Sequence, residues 1–335
     1  MIARGHFFCY YSLIMESAQN LKRRMRSVQN IGQITKAMEL VAATKMRRSQ
    51  ELALNSRPYA YTALEILGVI AGLKDVSMPE LLAGRPERSG GNKVAFMIVT
   101  SDKGLAGSFN GSVLRKFENY VRTNNIDLRA HAEDGGCRYS FIAVGQKAKS
   151  YLEHRSLPVS QSFLRVGDFT RMEEVNPISE ALIDAYLKQD FDEVISFSTQ
   201  FITALRQEVF VRELLPVSRE KIEESIKMLI PEAGRFSQYL DAESFESAKE
   251  AEYTIEPSPR EVLEQLAPEL LKIRLYHMVL EANASEHSAR RVAMKSASDN
   301  ASELSGNLNI EYNKSRQAAI TRELTEITAG ADALK

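Results

Sequence analysis

The chain has few cysteines, no proline at either end and no long hydrophobic run. Its 335 residues include only two cysteines, Cys9 and Cys137. This number is too small for a disulfide framework and is typical of proteins of a reducing compartment. No stretch of 18 or more consecutive apolar residues occurs, so no segment is predicted to span a bilayer. A disulfide-stabilised secreted fold and an integral membrane protein are therefore both disfavoured.

The placement of the prolines divides the chain into three parts. All ten lie between Pro58 and Pro268, and both ends lack proline. About 67 residues follow Pro268, and a continuous helix of that length would reach roughly 100 Å. Helices of globular domains average about 11 or 12 residues. The pattern predicts a long rod at the C-terminus, a second proline-free helix near the N-terminus and a punctuated middle.

These features predict an α/β protein with a long antiparallel two-helix coiled coil and a central Rossmann-like domain. Residues 1–14 differ from the polar segment that begins at Glu16, and we interpret them as an extension, with Met15 as a second candidate initiator. The predicted parts are the extension 1–14, an N-terminal helix 15–75, an α/β domain 92–217, a variable connector 218–259 and a C-terminal helix 260–335.

Two rows of residues spaced by three and four suggest the contact face of the coiled coil. This spacing is typical of a heptad seam. In the C-terminal segment some members are amides and many neighbours are Ala, Ser or Thr. The rows are Ile31, Ile34, Met38, Val41 and Lys45 in the first segment, and Ile310, Asn313, Gln317, Ile320, Leu324, Ile327, Ala331 and Leu334 in the second.

The middle of the chain begins with a strand, a glycine loop and a helix. The apolar run 94–99 is followed by the loop 101–110, SDKGLAGSFN, and by a helical pattern from Ser112 to Asn124. This order is the opening unit of a doubly wound sheet. Further strands are predicted at 141–144, 194–198 and 208–215, and further helices at 146–154 and 177–189.

The charge pattern leaves two interpretations of the N-terminal helix open. The chain has a formal net charge of -1, so no global excess steers it to nucleic acid. Between Met15 and Gln50 the N-terminal segment nevertheless carries eight basic residues against Glu16 and Glu39. They form either a solvated helix face or a collar that docks on acidic protein surface or phosphate. The basic residues are Lys22, Arg23, Arg24, Arg26, Lys36, Lys45, Arg47 and Arg48.

No constellation of residues predicts catalysis, a cofactor or a metal site. The loop 101–110 follows a strand, as phosphate loops do, but no Gly-Lys pair occurs in the chain and the spacing matches no nucleotide fingerprint. We therefore interpret it as a tight turn. The five histidines are scattered without metal-ligand spacing, and no nucleophile elbow is present.

Several segments together resemble the gamma subunit of the rotary F-type ATP synthase. Residues 31–50, IGQITKAMELVAATKMRRSQ, resemble that family's N-terminal helix, and the loop 101–110 resembles its first strand-to-helix loop. Residues 284–300 and 312–327 resemble its C-terminal signature. The matched segments cover both helical ends and the start of the middle domain, in the family's order.

The resemblance implies a rotor shaft with no active site of its own. It would couple ion flow in a proton-translocating synthase to ATP synthesis in a ring of alpha and beta subunits, while its middle domain binds the epsilon subunit and the c-subunit ring. By carry-over, seven residues match positions that contact beta subunits. They are Arg316, Gln317 and Thr321 at the C-terminal end, Lys36 and Met38, and a second pair, Arg24 and Ser27.

The resemblance also implies a place in the cell, and two other functions are weighed against it. The family's bacterial members are peripheral proteins on the cytoplasmic face of the cell membrane. The first alternative is a helical hairpin that binds nucleic acid through its basic helix, with steeply salt-dependent affinity. The second is an α/β enzyme that uses the loop 101–110 to bind a nucleotide.

Overall fold

The computed structural model describes residues 18–71, 78–85, 92–130, 138–166, 170–217 and 255–333. The proposed extension 1–14, both cysteines, most of the connector 218–259 and Leu334 lie outside these ranges. The described chain forms two compact units. One contains residues up to Val41 and from Arg291 onward, and the other runs from Ala42 to Arg290. Two long helices each contribute residues to both units.

Two long helices frame a five-stranded sheet, and this confirms the predicted fold class. Helix α1 has 54 residues and helix α6 has 75. In chain order the elements are α1 (Ala18–Ala71), α2 (Glu80–Ala83), β1 (Val94–Val99), α3 (Phe109–Thr123), β2 (Tyr139–Val144), α4 (Gln146–His154), β3 (Val159–Phe163), α5 (Met172–Leu187), β4 (Glu193–Phe201), β5 (Gln207–Leu215) and α6 (Pro259–Ala333).

In the first unit α1 and α6 pair in antiparallel fashion. Gly32 of α1 faces Ala301 of α6 so closely that a Cβ on the glycine would stand 3.4 Å from the alanine Cβ. Further along α1, Glu39 interacts electrostatically with Lys295 and Arg291. Partner numbers thus fall along α6 as residue numbers rise along α1. This trend defines an antiparallel coiled coil.

A heptad row of small, polar and apolar residues forms the seam of this coil. Its members step by three and four, which keeps one face of each helix toward the other. Leu21, Thr35 and Glu39 are buried on α1, and Met294, Ala301 and Leu308 are buried on α6. The half-buried members are Met25, Val28 and Gly32 on α1, and Ser298, Ser305, Tyr312 and Ser315 on α6.

The seam predicted from apolar periodicity is therefore wrong on both helices. Ile34 is 59% exposed and Ile310 is 69% exposed. On α1 the predicted row lies one residue before the true seam, which is a rotation of about 100° at 3.6 residues per turn. On α6 the predicted row lies on the face opposite the seam. Small residues mark the contact because they let the two backbones approach, whereas the larger apolar side chains point outward.

The sheet has the strand order β3-β2-β1-β4-β5. Strands β1 to β4 are parallel neighbours, and β5 pairs with β4 in antiparallel fashion. These two strands lie where the sequence predicts the last two strands, and they form a hairpin. Strand β3 was not predicted, because its sequence VSQSF has only two apolar residues. Helix α5 begins at Met172 rather than at the predicted Pro177, which lies inside it.

Two hydrophobic cores cover the two faces of the sheet. On one face, Phe96 of β1 and Phe197 of β4 pack against Phe117 of α3, with ring centroids 5.8 and 5.2 Å from Phe117. On the other face, buried residues of β1 and β2 pack with those of α5 and of α6 from Leu263 to Ala282. Helix α6 is thus an integral layer of the sheet domain over these residues.

Gly145 cannot carry a side chain without loss of stability. It adopts a φ of 92°, and an added Cβ would overlap the carbonyl oxygen of Thr100. We expect Gly145→Ala to lower the free energy of unfolding of the full-length chain by at least about 2 kcal/mol, because positive φ and the overlap both add strain. Gly306→Ala is the control. This helical glycine has open space around it, and the change should add about 0.5–1 kcal/mol.

A pair of truncations distinguishes the true seam from the apolar row. Leu308 is 3% exposed, whereas Ile320 is 50% exposed. Leu308→Ala should lower the free energy of unfolding by about 2–3 kcal/mol, because it removes a buried contact. Ile320→Ala should change that free energy by less than about 0.5 kcal/mol. The measurement is loss of helical circular dichroism in urea, and equal costs would contradict the observed seam.

Candidate partner-binding surface

The glycine loop 101–110 is held by internal hydrogen bonds. The amide of Ser101 donates to Oδ1 of Asn110 at 2.9 Å, and Oδ1 of Asp102 accepts from the amide of Gln146 at 2.9 Å. The amide of Ala148 donates to the hydroxyl of the preceding strand-end residue Thr100 at 2.7 Å. These bonds fix a strand-to-helix turn. Among the described residues, no group of three or more His, Cys, Asp or Glu side chains could hold a metal ion.

One outward row of α1 carries three of the predicted contact residues. Arg24, Ser27 and Met38 belong to a row of residues spaced by three and four along α1, and each member of this row directly precedes a seam residue in the sequence. Arg24 and Ser27 are exposed, and Met38 is half-buried. The same row includes three exposed β-branched apolar side chains, which sequence analysis had assigned to the seam. We call this set the α1 stripe: Arg24, Ser27, Ile31, Ile34, Met38 and Val41.

The structure does not bring Lys36 onto the α1 stripe. Lys36 lies two positions before Met38 on the helix, so their side chains differ in direction by about 200°. Lys36 instead donates to Oε2 of Glu39 at 2.8 Å. That hydrogen bond is the largest factor holding the pKa of Glu39 below its usual value. Lys36 therefore stabilises a carboxylate in the seam, and its ammonium remains partly exposed.

The C-terminal end of α6 carries the other three predicted contact residues. Arg316, Gln317 and Thr321 are all exposed and lie within one broad face. The hydroxyl of Thr321 donates to the backbone carbonyl of Gln317 at 2.9 Å. Its proton is thereby used within the helix, so toward a partner this hydroxyl can act only as an acceptor.

An exposed apolar row runs along the same end of α6. Gln317 is a member of this row, between exposed isoleucines and leucines. Exposed apolar side chains that recur on one face of a helix mark an interaction surface. The row coincides with the one that the sequence predicts as the seam of α6, except that Asn313 is half-buried and is left out. We call the set the α6 stripe: Ile310, Gln317, Ile320, Leu324 and Ile327.

Comparison with known proteins decides the family. The family model described as ATP synthase matches residues 17–334. The ATP synthase gamma chain of Roseiflexus sp. (strain RS-1) is 37% identical over 322 residues, which cover 96% of this chain and 99% of the relative. That of Fusobacterium nucleatum is 35% identical over 321 residues, or 96% and 100%. The chain belongs to the ATP synthase gamma chain family.

Solved structures share the fold of this gamma chain. One chain of the Euglena gracilis mitochondrial ATP synthase aligns with a TM-score of 0.58 at 15% identity, over 95% of this chain and 94% of that one. A chain of the Tetrahymena thermophila mitochondrial ATP synthase, from a structure of the central stalk and c-ring, aligns with a TM-score of 0.50 at 22% identity, over 79% and 99%. At these identities the likeness concerns the fold alone.

Family membership confirms the predicted rotor role. The gamma chain is a subunit of the ATP synthase complex and couples ion flow to ATP synthesis as its central-stalk rotor. The basic helix α1 therefore needs no nucleic-acid partner to explain it. No described helix is long and apolar enough to cross a membrane.

The contact between Lys36 and Glu39 can be tested by titration. Lys36→Met removes the hydrogen bond and the nearest positive charge, so the pKa of Glu39 should rise toward its usual value of 4.5. Because the folded-state pKa is depressed, the carboxylate stabilises the coil above about pH 4.5 and ceases to do so as the pH falls through the folded-state pKa. Side-chain NMR of the carboxyl carbon measures the shift. The control Lys314→Met lies far along α6 and should leave it unchanged.

Proposed function

We propose that the α1 stripe and the α6 stripe are the surfaces through which this rotor acts on the beta subunits of a surrounding alpha–beta ring. The chain itself carries no catalytic site, and ATP is made and hydrolysed in the ring. The observation that supports the proposal is the outward position of the large apolar side chains next to six of the seven predicted contact residues. On α1, a coil that served only as a scaffold would bury Ile31 and Ile34 in its seam. On α6, every described residue whose exposure is given beyond Ser315 is exposed and therefore accessible to a partner.

The α6 stripe has the composition of a surface that must hold a partner and release it. Its apolar members contact a partner without directional bonds, because the hydrophobic effect is non-directional. Arg316 and Gln317 add donors that recognise a carboxylate or carbonyl in a defined orientation. A surface dominated by large apolar residues alone would bind strongly in one position, whereas this mixture allows successive contacts during rotation.

The α1 stripe differs from the α6 stripe in chemistry, and this difference is what a rotor requires. It joins a basic end at Arg24 to branched apolar residues at Ile31 and Ile34. A ring of repeated catalytic sites can be driven through different states only by a shaft whose sides differ. Acidic segments of beta subunits are the complementary partners for the basic residues of α1.

The remaining partners and the location follow from the family. The sheet domain is the foot that binds the epsilon subunit and the ring of c subunits, and one copy of the chain serves each complex. The two structural relatives come from assemblies that include the c-ring, and the Euglena gracilis assembly also includes the F1 sector. The two gamma chains quoted above are bacterial. We therefore propose a peripheral protein on the cytoplasmic face of the bacterial cell membrane.

Replacement of both polar residues at the end of α6 should uncouple the complex without unfolding the chain. In the double variant Arg316→Ala, Gln317→Ala we expect ATP synthesis by membrane vesicles to fall about fivefold or more, since each lost hydrogen bond contributes about 1 kcal/mol. Both side chains are exposed. The unfolding free energy of the chain should therefore change by less than about 0.5 kcal/mol.

Glu303→Ala is the control, because Glu303 is exposed on the same helix but lies seven residues before the first member of the α6 stripe. This variant should synthesise ATP at the unmodified rate. Normal synthesis by the double variant would remove Arg316 and Gln317 from the proposed contacts. Failure of the unmodified chain to form an active complex with alpha and beta subunits would contradict the proposed function as a whole.

A further inference from the structure

Polar side chains fasten α6 to the sheet domain over residues 281–290. Glu281 pairs with Arg212 of β5 at 3.9 Å, and the side-chain amide of Asn283 donates to the hydroxyl of Thr170 at 2.7 Å. The hydroxyl of Ser288 donates to a backbone carbonyl in the β4–β5 hairpin at 2.6 Å. These bonds add direction to the apolar contacts made earlier along α6. A purely apolar interface would allow small slides and rotations that directed hydrogen bonds resist.

Arg290 makes the last of these polar contacts along α6. Its guanidinium donates to Oε1 of Glu286 at 2.6 Å and to the carbonyl oxygen of Gly104, in the loop between β1 and α3, at 3.2 Å. A third contact reaches Nδ1 of His287 at 3.1 Å. The side chains of both Arg290 and Glu286 are nearly buried. One planar group therefore joins the helix to a loop 186 residues away in sequence.

The loop that Arg290 holds is strained at the next residue. Leu105 follows Gly104, has a φ of 62° and is 64% exposed. Both the left-handed backbone and the exposed leucine are unfavourable, so the surrounding contacts must impose this conformation. The bond from Arg290 to the carbonyl of Gly104 is one of those contacts, and the internal bonds between Ser101 and Asn110 are another.

Arg290 is also the final residue of the unit that contains the sheet domain. From Arg291 onward, the described residues of α6 belong to the other unit, whose partner helix is α1. A second Arg–Glu pair spaced by four residues on the same helix gives a comparison. Arg260 contacts Glu264 at 3.0 Å, and this pair is exposed and lies within α6. Both are Arg–Glu ion pairs within α6, and they differ in that Arg290 also bonds to the loop 101–110.

We propose that Arg290 is a positioning residue for torque transfer, because it locks α6 to the loop 101–110 at the point where the helix leaves the sheet domain. This inference rests on the proposed function, since it concerns how rotation passes between the foot and the shaft. A rotating domain transmits its turn to a helix only as far as the two are rigidly joined. Without the guanidinium, the loop and the helix can shift against each other, and part of each rotation is lost.

The experiment compares Arg290→Ala, Arg290→Lys and Arg260→Ala in the complete ATP synthase of inverted membrane vesicles. Each preparation is measured for ATP hydrolysis and for the ion gradient built per ATP hydrolysed. Arg290→Ala should retain hydrolysis within about twofold while the gradient per ATP falls about fivefold, the factor that corresponds to one net hydrogen bond. Arg290→Lys should fall similarly, because one ammonium cannot replace the fork that spans Glu286 and Gly104. Arg260→Ala should match the unmodified complex.

Other outcomes would overturn the proposal. Normal coupling in Arg290→Ala, or full rescue by Arg290→Lys, would show that the fork to Gly104 is not needed. Loss of assembly in both Arg290 variants would assign the residue to folding rather than to torque transfer. If the unmodified and Arg260→Ala complexes also fail to build a gradient, the proposed function fails, and this result is distinct from failure of the Arg290 proposal alone.

Discussion

The narrow seam between α1 and α6 is the constraint on which the rest of the rotor depends. Gly32, Thr35, Ser298 and Ala301 occupy positions where a structural coiled coil would place leucine or isoleucine. Small side chains let the two backbones come close, but they contribute little buried area. The large apolar residues are consequently available for the outer faces. The paired helices therefore have small residues in part of their seam and large apolar residues on their outer faces, which reverses the usual coiled-coil pattern.

The long helices could be predicted from the sequence, but the rotation of each helix about its axis could not. Absence of proline and the three–four spacing are properties of the helix itself. Which row faces the partner depends on the partner, and apolar periodicity locates the seam only when the seam is the most apolar face. Here Ile34 and Ile310 lie on the outside and Glu39 lies in the seam, so the rule selected the wrong rows.

The elements of the sheet domain could be predicted more fully from local sequence patterns. Strand β1 is almost completely buried and its sequence VAFMIV is a continuous apolar run, as expected for a parallel strand inside a sheet. Edge strand β3 pairs on one side only and has the polar sequence VSQSF, so it carried no such signal. The contact residues taken from the family resemblance lie mostly on outward faces, but only the structure separates Lys36 from the rest. The i,i+3 spacing of Lys36 and Glu39 is a sequence signal for an ion pair on a helix. The position of Glu39 in the seam depends on the rotation of the helix, which the sequence does not give.

The polar contacts of this chain divide into two kinds with opposite mechanical effects. At the seam, the ion pair between Lys36 and Glu39 joins residues of the same helix. Glu39 reaches α6 through its electrostatic attraction to Lys295 and Arg291, which is less directional than a hydrogen bond. At the sheet domain, Arg290 and Ser288 join α6 to distant loops through backbone carbonyls, whose positions are fixed by the fold. A rotor must be held firmly where it receives torque. Where it passes torque to a partner, its surface must be able to exchange one contact for another. Residues 281–290 of α6 bond to the sheet domain, whereas the described residues 316–332 are exposed, so one continuous helix meets both requirements.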